Sequence, residues 1–570
     1  MADAVAEAPP AAVVLTVRRG LREEHVATAL IAALVLVLLL VVALPLWALL
    51  SKSFEDGRGH FVGIANYRTY FTTPTLAASL FNSVWVAALT TAVVIPLAFG
   101  YAYALTRTCM RGKGAFYAAA LVPIFAPSLL SGLALLYVFG NQGFLKAALM
   151  GASIYGPIGI VIAECLYCFP HAVLILSTAL ALADGRLYEA AQALGTAPAR
   201  VFRTVTLPGA RYGLISAVFV VFTLVVTDFG IPKVIGGQFA VLATDAYKQV
   251  VGQQNFSMGA VVGMILLVPA VLAFGVDRIT QRRQVALLSA RAVPYEPRPQ
   301  TRRDVVFTVY CLLVAGCIVG TYGVAVWGSF VRYWPYNLSL TLANYAFGNV
   351  EPSGWEPYLN SLKMAAAVAV IGTALVFAGA YLIEKLKVFP SGRAAAQFLA
   401  MLPMAVPGLV LGLGYVFFYN APWNPLGWLY GTLLVLVINT VAHFYTVAHI
   451  TATTALKQID PEFEAVSASL KVPFWRTFAR VTAPICLPAI LDVAVYLFVN
   501  ALTTVSAVIF LYGSGTKLAS IAVVHMDEAG AIASAAGMAS VIMATAILAK
   551  AAHLVLDRLV FARLQAWRRR

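Results

Sequence analysis

Twelve long apolar runs dominate the sequence and constrain its fold more than any other feature. The hydrocarbon core of a bilayer is about 30 Å thick, which a helix of roughly 20 residues crosses. Hydrophobic residues make up 61% of the 570 residues and charged residues 11%, a balance that excludes a disordered chain and argues against soluble domains. We therefore predict an all-α polytopic membrane protein. The runs cover residues 26–50, 79–105, 115–139, 154–183, 213–235, 257–276, 305–329, 361–383, 395–419, 429–452, 485–512 and 532–556.

Lysine and arginine are concentrated in alternate connections between these runs. If the N-terminus is inside, the inner segments hold 29 of the 39 basic residues and the outer loops hold 7, while three lie within the runs. Positive residues favour the cytoplasmic side of a membrane, so we predict that both termini are cytoplasmic. The net charge of +15 is then explained by contact with anionic membrane lipid rather than with nucleic acid.

Residues 277–304 interrupt the apolar pattern and divide the chain in two. This stretch carries seven arginines and three prolines, a composition typical of a linker. Six runs lie on either side of it. We predict an N-terminal cytoplasmic segment, a first transmembrane half, a basic cytoplasmic linker, a second transmembrane half and a basic cytoplasmic tail, at residues 1–25, 26–276, 277–304, 305–556 and 557–570.

The two halves repeat each other at a nearly constant spacing. Four groups of residues recur in order at offsets of 276 to 280. An even number of runs per half makes the repeats parallel, so we predict a substrate path between the halves. The matched groups are Ala65–Tyr67 with Ala343–Tyr345, Asn82 and Ser83 with Asn360 and Ser361, Pro123, Pro127 and Gly132 with Pro403, Pro407 and Gly412, and Leu194, Phe202, Val205, Thr206 and Pro208 with Leu470, Phe478, Val481, Thr482 and Pro484.

The longest inner loop of the first half lies between its fourth and fifth runs. Alanine-rich sequence from Tyr188 to Leu194 favours a short helix, and Gly195 permits a turn after it. A helix of this length lies at the membrane surface rather than across the bilayer. Its apolar face, with Ala190, Ala193 and Leu194, suits the groove of a partner protein. A plain turn between spans is the alternative, but such connections are usually shorter.

Glu189, Ala190 and Ala191, followed by Gly195, resemble the EAA loop of permease subunits of binding-protein-dependent ABC importers. In that family the loop docks into a cleft of an ATPase and transmits its closure to the spans. The resemblance implies that these four residues and Phe202 couple the chain to an ATPase. It also implies a type I ABC importer permease fold with about 12 transmembrane helices in two parallel six-helix repeats, in a bacterial inner membrane.

The same resemblance implies what the chain requires from other proteins. Its permease cores would be residues 79–276 and 361–556, served by two copies of a cytoplasmic ATPase and by a periplasmic solute-binding protein. The sequence contains no GxxxxGK[ST] motif. We therefore expect a transport subunit rather than an enzyme, with no cofactor in this chain and with ATP and Mg²⁺ bound by the separate ATPase.

The second loop departs from this pattern. The acid and the glycine of the first loop are replaced by Ala465 and Lys471, and Glu464 stands one position early. Either Glu464 substitutes locally, or the second loop engages its ATPase copy differently. The predicted ATPase-coupling residues of this loop are Glu464, Ala465, Lys471 and Phe478.

Polar residues inside the runs are the candidates for the substrate path. A charged side chain at a helix centre costs about 2.5–3.5 kcal/mol on insertion scales, so each buried acid requires a role. Hydrogen bonds between helices and small-polar packing are the alternative explanations, and Asp492 is better explained by an interfacial position. The predicted path residues are Glu164, Thr227, Asp228, Asn500, Thr503 and Thr504.

No metal site is expected in this chain. His443 and His449 are six residues apart, which is not the i, i+4 spacing of a helical metal-binding pair. Cys165 and Cys168 form a CxxC, but inside an apolar run.

Three stretches bear on the solute. Residues 227–237, 241–248 and 498–508 resemble the 2-aminoethylphosphonate type of fused double permease. This resemblance predicts 2-aminoethylphosphonate as the solute. Ferric iron and thiamine, the substrates of other fused double permeases, are the alternatives.

An ion-driven secondary transporter with twelve helices is the rival from a different class. The repeated surface loop argues against it, and so does the absence of an acidic residue between residues 106 and 114, where such transporters usually carry one.

Overall fold

The computed structural model describes residues 21–287, 293 and 295–561. The predicted segments 1–25 and 557–570 lie largely outside the described residues. Within that part of the chain the only sheet is a two-stranded antiparallel hairpin, which pairs Val331–Tyr333 with Asn337–Leu340. The remaining regular structure is helical, as the apolar runs predict.

Eight helices are long and apolar enough to cross a membrane, and four further crossings are bent. Together they correspond to the twelve predicted runs, and we number them as spans 1 to 12 in chain order. The unbroken spans 1, 2, 4, 6, 7, 8, 10 and 12 are Glu23–Ser53, Pro74–Arg107, Pro157–Ala181, Phe256–Val276, Thr301–Ser329, Glu356–Glu384, Leu433–Lys457 and Ile532–Leu559.

Spans 3, 5, 9 and 11 are each broken into two helices, so the prediction of continuous runs is wrong there. Pro127 and Pro407 take extended backbone conformations at the breaks of spans 3 and 9. Asp228 and Thr504 are extended in the same way and end spans 5 and 11 early. The helix pairs are Lys113–Phe125 with Ser128–Phe139 (103° apart), Pro198–Gly209 with Arg211–Thr227 (64°), Pro390–Ala405 with Gly408–Tyr419 (115°), and Phe474–Ile485 with Leu487–Thr503 (78°).

Short helices cover both ends of the bundle. One end, here termed the basic face, carries Gly185–Ala193 and Glu462–Ser469, which we name the first and second surface helices. The opposite end, the far face, carries the hairpin. The short α- and 3₁₀-helices of the far face are Ala65–Thr72, Lys146–Leu149, Gly230–Ile235, Leu242–Tyr247, Ala343–Tyr345, Phe347–Asn349, Gly427–Leu429 and Ala519–Glu528.

The helix of span 6 continues past the predicted end of its run. It extends from Phe256 to Leu287, and the helix of span 7 begins at Thr301. The first part of the predicted linker, residues 277–287, is therefore helical. The charged sequence does not break the helix because arginine and glutamine are good helix formers.

The first span of each half packs against the other half. Span 1 lies against spans 8 and 9, where the Tyr415 hydroxyl donates to the carbonyl oxygen of Val41 at 2.7 Å. Span 7 lies against spans 2 and 3, where the hydroxyls of Tyr322 and Ser131 are hydrogen-bonded at 2.5 Å. An unpaired buried hydroxyl costs about 1–3 kcal/mol, so these bonds favour the interlocked arrangement. The halves are intertwined rather than merely adjacent.

The repeat in the sequence is also a repeat of hydrogen bonds. The side-chain amide of Asn66 donates to the carbonyl oxygens of Ser53 and Glu55 at 3.0 and 2.8 Å. Asn344 makes the two equivalent bonds in the second half, at 2.9 and 2.8 Å. Each asparagine therefore fixes the chain where it leaves the first span of its half, and we call the two residues the asparagine clamps.

We expect Asn344→Ala to lower the stability of the protein by about 1–3 kcal/mol, because two carbonyl oxygens lose their donor at once. Asn66→Ala should cost a similar amount, and the two losses should add, since the sites share no partner. Thermal unfolding in detergent measures the effect. Asn141→Ala, at an exposed asparagine of the same face, is the control. An unchanged melting temperature in the double variant would contradict the role of the clamps.

Candidate functional site

The first surface helix presents an exposed apolar edge. The Asp184 carboxylate caps its N-terminus by accepting from the backbone N–H of Arg186 at 3.1 Å. Gly195 follows its C-terminus with a φ of 63°, which glycine adopts at low cost. Leu194 is 82% exposed. Of the four coupling residues predicted in this helix and its turn, Ala191 packs inward, whereas the other three are exposed. These three are Glu189, Ala190 and Gly195.

The second surface helix has the same backbone geometry despite its different sequence. Lys471 takes the place of Gly195 with a φ of 54°, at a cost of about 1 kcal/mol for a non-glycine residue. In both copies the backbone N–H of the following residue donates to a carbonyl oxygen of the surface helix and closes the turn. The N···O distance is 3.0 Å in the first half and 2.9 Å in the second. Leu470 is 70% exposed. Both loops therefore form the same helix and turn and end in an exposed leucine.

Glu464 does not occupy the place of Glu189. Its side chain is half-buried, and the Tyr381 hydroxyl of span 8 donates to its carboxylate at 3.5 Å. Ala465 takes the exposed position that Glu189 holds in the first half. The second surface helix therefore has no acid at that position.

Phe202 and Phe478 lie on the arms that follow the surface helices rather than on the helices. Phe202 contacts the rings of Phe99 and Tyr103 in span 2, with centroid distances of 5.9 and 6.1 Å. Phe478 contacts the two equivalent rings of span 8, those of Phe377 and Tyr381, at 5.8 and 4.8 Å. These aromatic trios join each arm to its second span. Phe377 and Tyr381 each stand 278 residues after Phe99 and Tyr103, and this shared spacing could have revealed the aromatic trios from the sequence.

The linker packs on the first surface helix. The backbone N–H of Gly185 donates to the carbonyl oxygen of Val293 at 2.8 Å. The rings of Tyr188 and Tyr295 are 4.5 Å apart, and the guanidinium of Arg107 lies 4.7 and 4.4 Å from their centres. Sequence reasoning missed this contact, because it joins three segments that are far apart in the chain.

A cavity of about 370 Å³ lies between the two halves. Its wall combines span 5 of the first half with span 11 of the second half, together with the breaks of spans 3 and 9. Five of the six predicted path residues line it: Thr227, Asp228, Asn500, Thr503 and Thr504. Further polar residues of the wall that are not among the predicted path residues are Ser128, Tyr167, His171, Thr223, His443, Tyr496 and Ser506.

Glu164, the sixth predicted path residue, lies behind the cavity wall. It is fully buried and interacts with the carboxyl group of Asp228, which itself lines the cavity. Asp228 also accepts a hydrogen bond from the backbone N–H of Ile231 at 2.8 Å. At the offset of 276 the second half carries Thr440 and Thr504 in their places. The acidic pair is therefore confined to one side of the cavity.

The threonines and asparagine of the wall bond within their own helices. The hydroxyls of Thr227 and Thr503 donate to carbonyl oxygens one turn earlier, at 2.8 and 3.0 Å, and the Asn500 amide does so at 2.8 Å. Because their own polar demand is met, they give the cavity a polar but neutral surface. In the described part of the chain, no three His, Cys, Asp or Glu side chains are grouped so that they could hold a metal ion.

An ion pair joins the halves beside this cavity on the far face. The Lys233 ammonium lies 2.6 Å from the Glu528 carboxylate and 4.8 Å from the centre of the Tyr247 ring. That ring stacks on Phe510 of the second half at 6.2 Å. Burial raises the pKa of the neighbouring Asp527 to about 6, although Lys233 acts in the opposite direction by favouring its charged form. These contacts join the two halves on the far face.

Comparison with known proteins decides the family. The model of the family "Binding-protein-dependent transport system inner membrane component" matches twice, at residues 95–285 and 371–562. The chain belongs to this family. The two matches confirm the internal repeat, and the fold is that of a type I ABC importer permease, fused into one chain in a multi-pass inner-membrane protein.

Several relatives match across most of this permease. It is 30% identical to the putative ferric transport system permease protein FbpB 1 of Haemophilus influenzae, over 75% of this chain and 69% of that protein. It is 28% identical to the ferric transport system permease protein FbpB of Actinobacillus pleuropneumoniae, over 80% and 68%. A second Haemophilus influenzae protein, the Fe(3+)-transport system permease protein FbpB 2, is 23% identical over 85% and 91%.

Family membership implies two partners, an ATPase and a solute-binding protein. It also confirms that the chain is a transport component of an ATP-driven importer, and the ion-driven transporter is therefore no longer a competing interpretation.

We expect Lys233→Glu to loosen the far-face closure, because it places a third acid beside Asp527 and Glu528. Partly exposed pairs contribute about 1 kcal/mol or less, so the change should raise basal ATP hydrolysis by the permease–ATPase complex up to roughly fivefold. The double variant Lys233→Glu/Glu528→Lys should restore the wild-type rate. Equal basal rates in all three proteins would show that the pair does not hold the far face closed.

Proposed function

We propose that this permease imports ferric iron through the cavity between its halves. The relatives reported above that match most of the chain are named for ferric transport. They support the ferric alternative that the sequence left open, and none of these three supports 2-aminoethylphosphonate.

The carboxyl group of Asp228 on one wall of the cavity, with Glu164 buried behind it, is the structural observation that carries this proposal. Hard cations prefer oxygen ligands, and Asp228 offers a carboxylate backed by Glu164. Among the described residues of the wall there is no lysine or arginine, so the phosphonate group of 2-aminoethylphosphonate would have no cationic side chain to pair with there. A path must also release its solute, and a wall without three grouped metal ligands suits transient contact.

We infer that the basic face is cytoplasmic and receives two copies of the ATPase, one on each surface helix. The excess of basic residues in the connections on this side supports the orientation. Exposed apolar side chains support the docking, because each helix offers a hydrophobic edge to a groove. These side chains are Leu187 and Leu194 in the first copy and Phe463, Val466 and Leu470 in the second. ATP and Mg²⁺ belong to the ATPase.

Reconstituted vesicles test the solute. Permease, ATPase and solute-binding protein should accumulate radiolabelled ferric iron, supplied as citrate, only when ATP is enclosed with the ATPase. The same vesicles are offered 2-aminoethylphosphonate and thiamine separately. ATP-dependent uptake of either compound without uptake of iron would overturn the proposal.

Asp228→Asn should reduce iron uptake about tenfold, since the loss of one charge contact of about 1.4 kcal/mol changes a rate by that factor. Thr504→Ser, at the equivalent position of the neutral wall, is the matched control and should transport normally. Initial uptake rates in the vesicles provide the measurement. If both variants match the wild type, Asp228 has no role in the path.

Leu194→Asp should weaken ATPase binding at least tenfold, because docking would bury an unpaired charge. Leu470→Asp should act in the same way on the second surface helix. Met150→Asp, at an exposed apolar residue of the far face, is the control. Co-purification of the ATPase with each variant measures binding, and undiminished co-purification with both leucine variants would refute docking at these helices.

A further inference from the structure

A groove of about 530 Å³ opens on the far face between the ends of spans 1 and 9 and the start of span 6. Its wall is mixed in character. Aromatic residues include Trp47, Phe256, Phe417 and Trp423, while Ser51, Glu55, Asn255 and Asn420 supply polar groups. Trp47 and Trp423 are 56% and 63% exposed. The described residues thus leave an aromatic-rimmed space at this point.

The equivalent groove of the other half is filled by the protein itself. There the ring of Trp334 contacts Tyr137, Phe144 and Trp327 at centroid distances of 5.1, 5.2 and 5.3 Å. By the internal offsets of 276 and 280, Trp327 and Tyr137 stand in the places of Ser51 and Phe417, which both line the open groove. One repeat therefore contains an occupied version of the site that is open in the other.

The connection after the first span of each half explains the difference. In the second half, the hairpin of Val331–Tyr333 and Asn337–Leu340 carries Trp334 between its strands and turns it into the groove. In the first half, residues 56–60 form a tighter turn, in which Asp56 accepts from the backbone N–H groups of Arg58 and His60 at 2.8 and 2.9 Å. This turn contains no phenylalanine, tyrosine or tryptophan, so nothing equivalent to Trp334 fills the first groove.

We propose that the open groove receives an aromatic side chain from a loop of the solute-binding protein. This rests on the proposed orientation, in which the far face is external. The occupied copy shows that the site accepts an indole ring carried on a loop. The open copy is better suited to an external indole, because the exposed Asn420 offers an acceptor, whereas the Nε1 of Trp334 has no partner among the described residues. The Glu55 carboxylate is already bonded to the Ser51 hydroxyl at 3.0 Å and to the Lys52 ammonium at 3.1 Å. A lipid chain is less suited to a wall that is interrupted by polar groups.

Ser51→Trp tests the site, because a tryptophan ring in place of this lining serine takes up space that the open groove leaves between spans 1 and 9. Ser51→Ala leaves the groove open and is the matched control, and Trp423→Ala, at an exposed residue, removes one side of the rim. The permease and its ATPase are placed in nanodiscs of defined phospholipid. The probe is the solute-binding protein that stimulates ATP hydrolysis by the wild-type complex, whatever solute it carries.

We expect Ser51→Trp to reduce the affinity of that solute-binding protein at least tenfold and to abolish its stimulation of ATP hydrolysis, while basal hydrolysis stays unchanged. Trp423→Ala should weaken binding less, and Ser51→Ala should not. If Ser51→Trp and Trp423→Ala both bind the solute-binding protein with wild-type affinity, the proposal is overturned. A change in basal hydrolysis that varies with phospholipid composition would also overturn it and indicate a lipid site. Because stimulation is measured without assuming a cargo, a failed iron assay leaves this result interpretable.

Discussion

Backbone hydrogen bonding in the absence of water is the constraint on which the rest of this structure depends. A spanning helix satisfies its own N–H and C=O groups, so a break at membrane depth is tolerated only inside protein or beside a water-filled cavity. The wall of the inter-half cavity includes residues beside the breaks of spans 3 and 9 at Pro127 and Pro407, and the extended ends of spans 5 and 11 at Asp228 and Thr504. The interlocked halves keep these breaks away from lipid.

Duplication has preserved the contacts that hold the spans and has changed those that face the cavity or the exterior. The asparagine clamps and the aromatic trios occur in both halves, because loss of either would leave a buried group without its partner. A symmetric dimer would have two identical halves, whereas a fused chain can place an acid, a glycine turn or an open groove on one side alone. The positions that differ in this way are Asp228 and Thr504, Gly195 and Lys471, and Ser51 and Trp327.

Local sequence patterns predicted the number of spans, the repeat and the surface helices, because these follow from hydrophobicity and helix propensity. They did not predict where spans 5 and 11 end, because Asp228 and Thr504 stand inside apolar runs. At these ends the Asp228 carboxylate accepts from the nearby backbone N–H of Ile231, and the carbonyl oxygen of Thr504 accepts from the Ser520 hydroxyl. They also missed the packing of Tyr295 on the first surface helix. Five of the six predicted path residues line the cavity, because polar residues within apolar helices gather where helices face one another. The solute was beyond such patterns, since few side chains of the path carry charge.

The chain passes between its two structural lobes only on the far face. Span 7 packs on spans 2 and 3, and span 1 packs on spans 8 and 9, so one lobe contains spans 2 to 7 and the other contains span 1 with spans 8 to 12. The linker connects spans 6 and 7 of the same lobe and contacts the surface helix of that lobe through Tyr295. At the start of span 1, Glu23 accepts from the backbone N–H of Phe474 at 2.9 Å. Phe474 lies on the arm of the second lobe, which is the lobe that also contains span 1. The connections from span 1 to span 2 and from span 7 to span 8 are thus the two covalent crossings, and both are held by the asparagine clamps. On the basic face no covalent connection joins the lobes, so the two surface helices can change their separation while the far face keeps its connections.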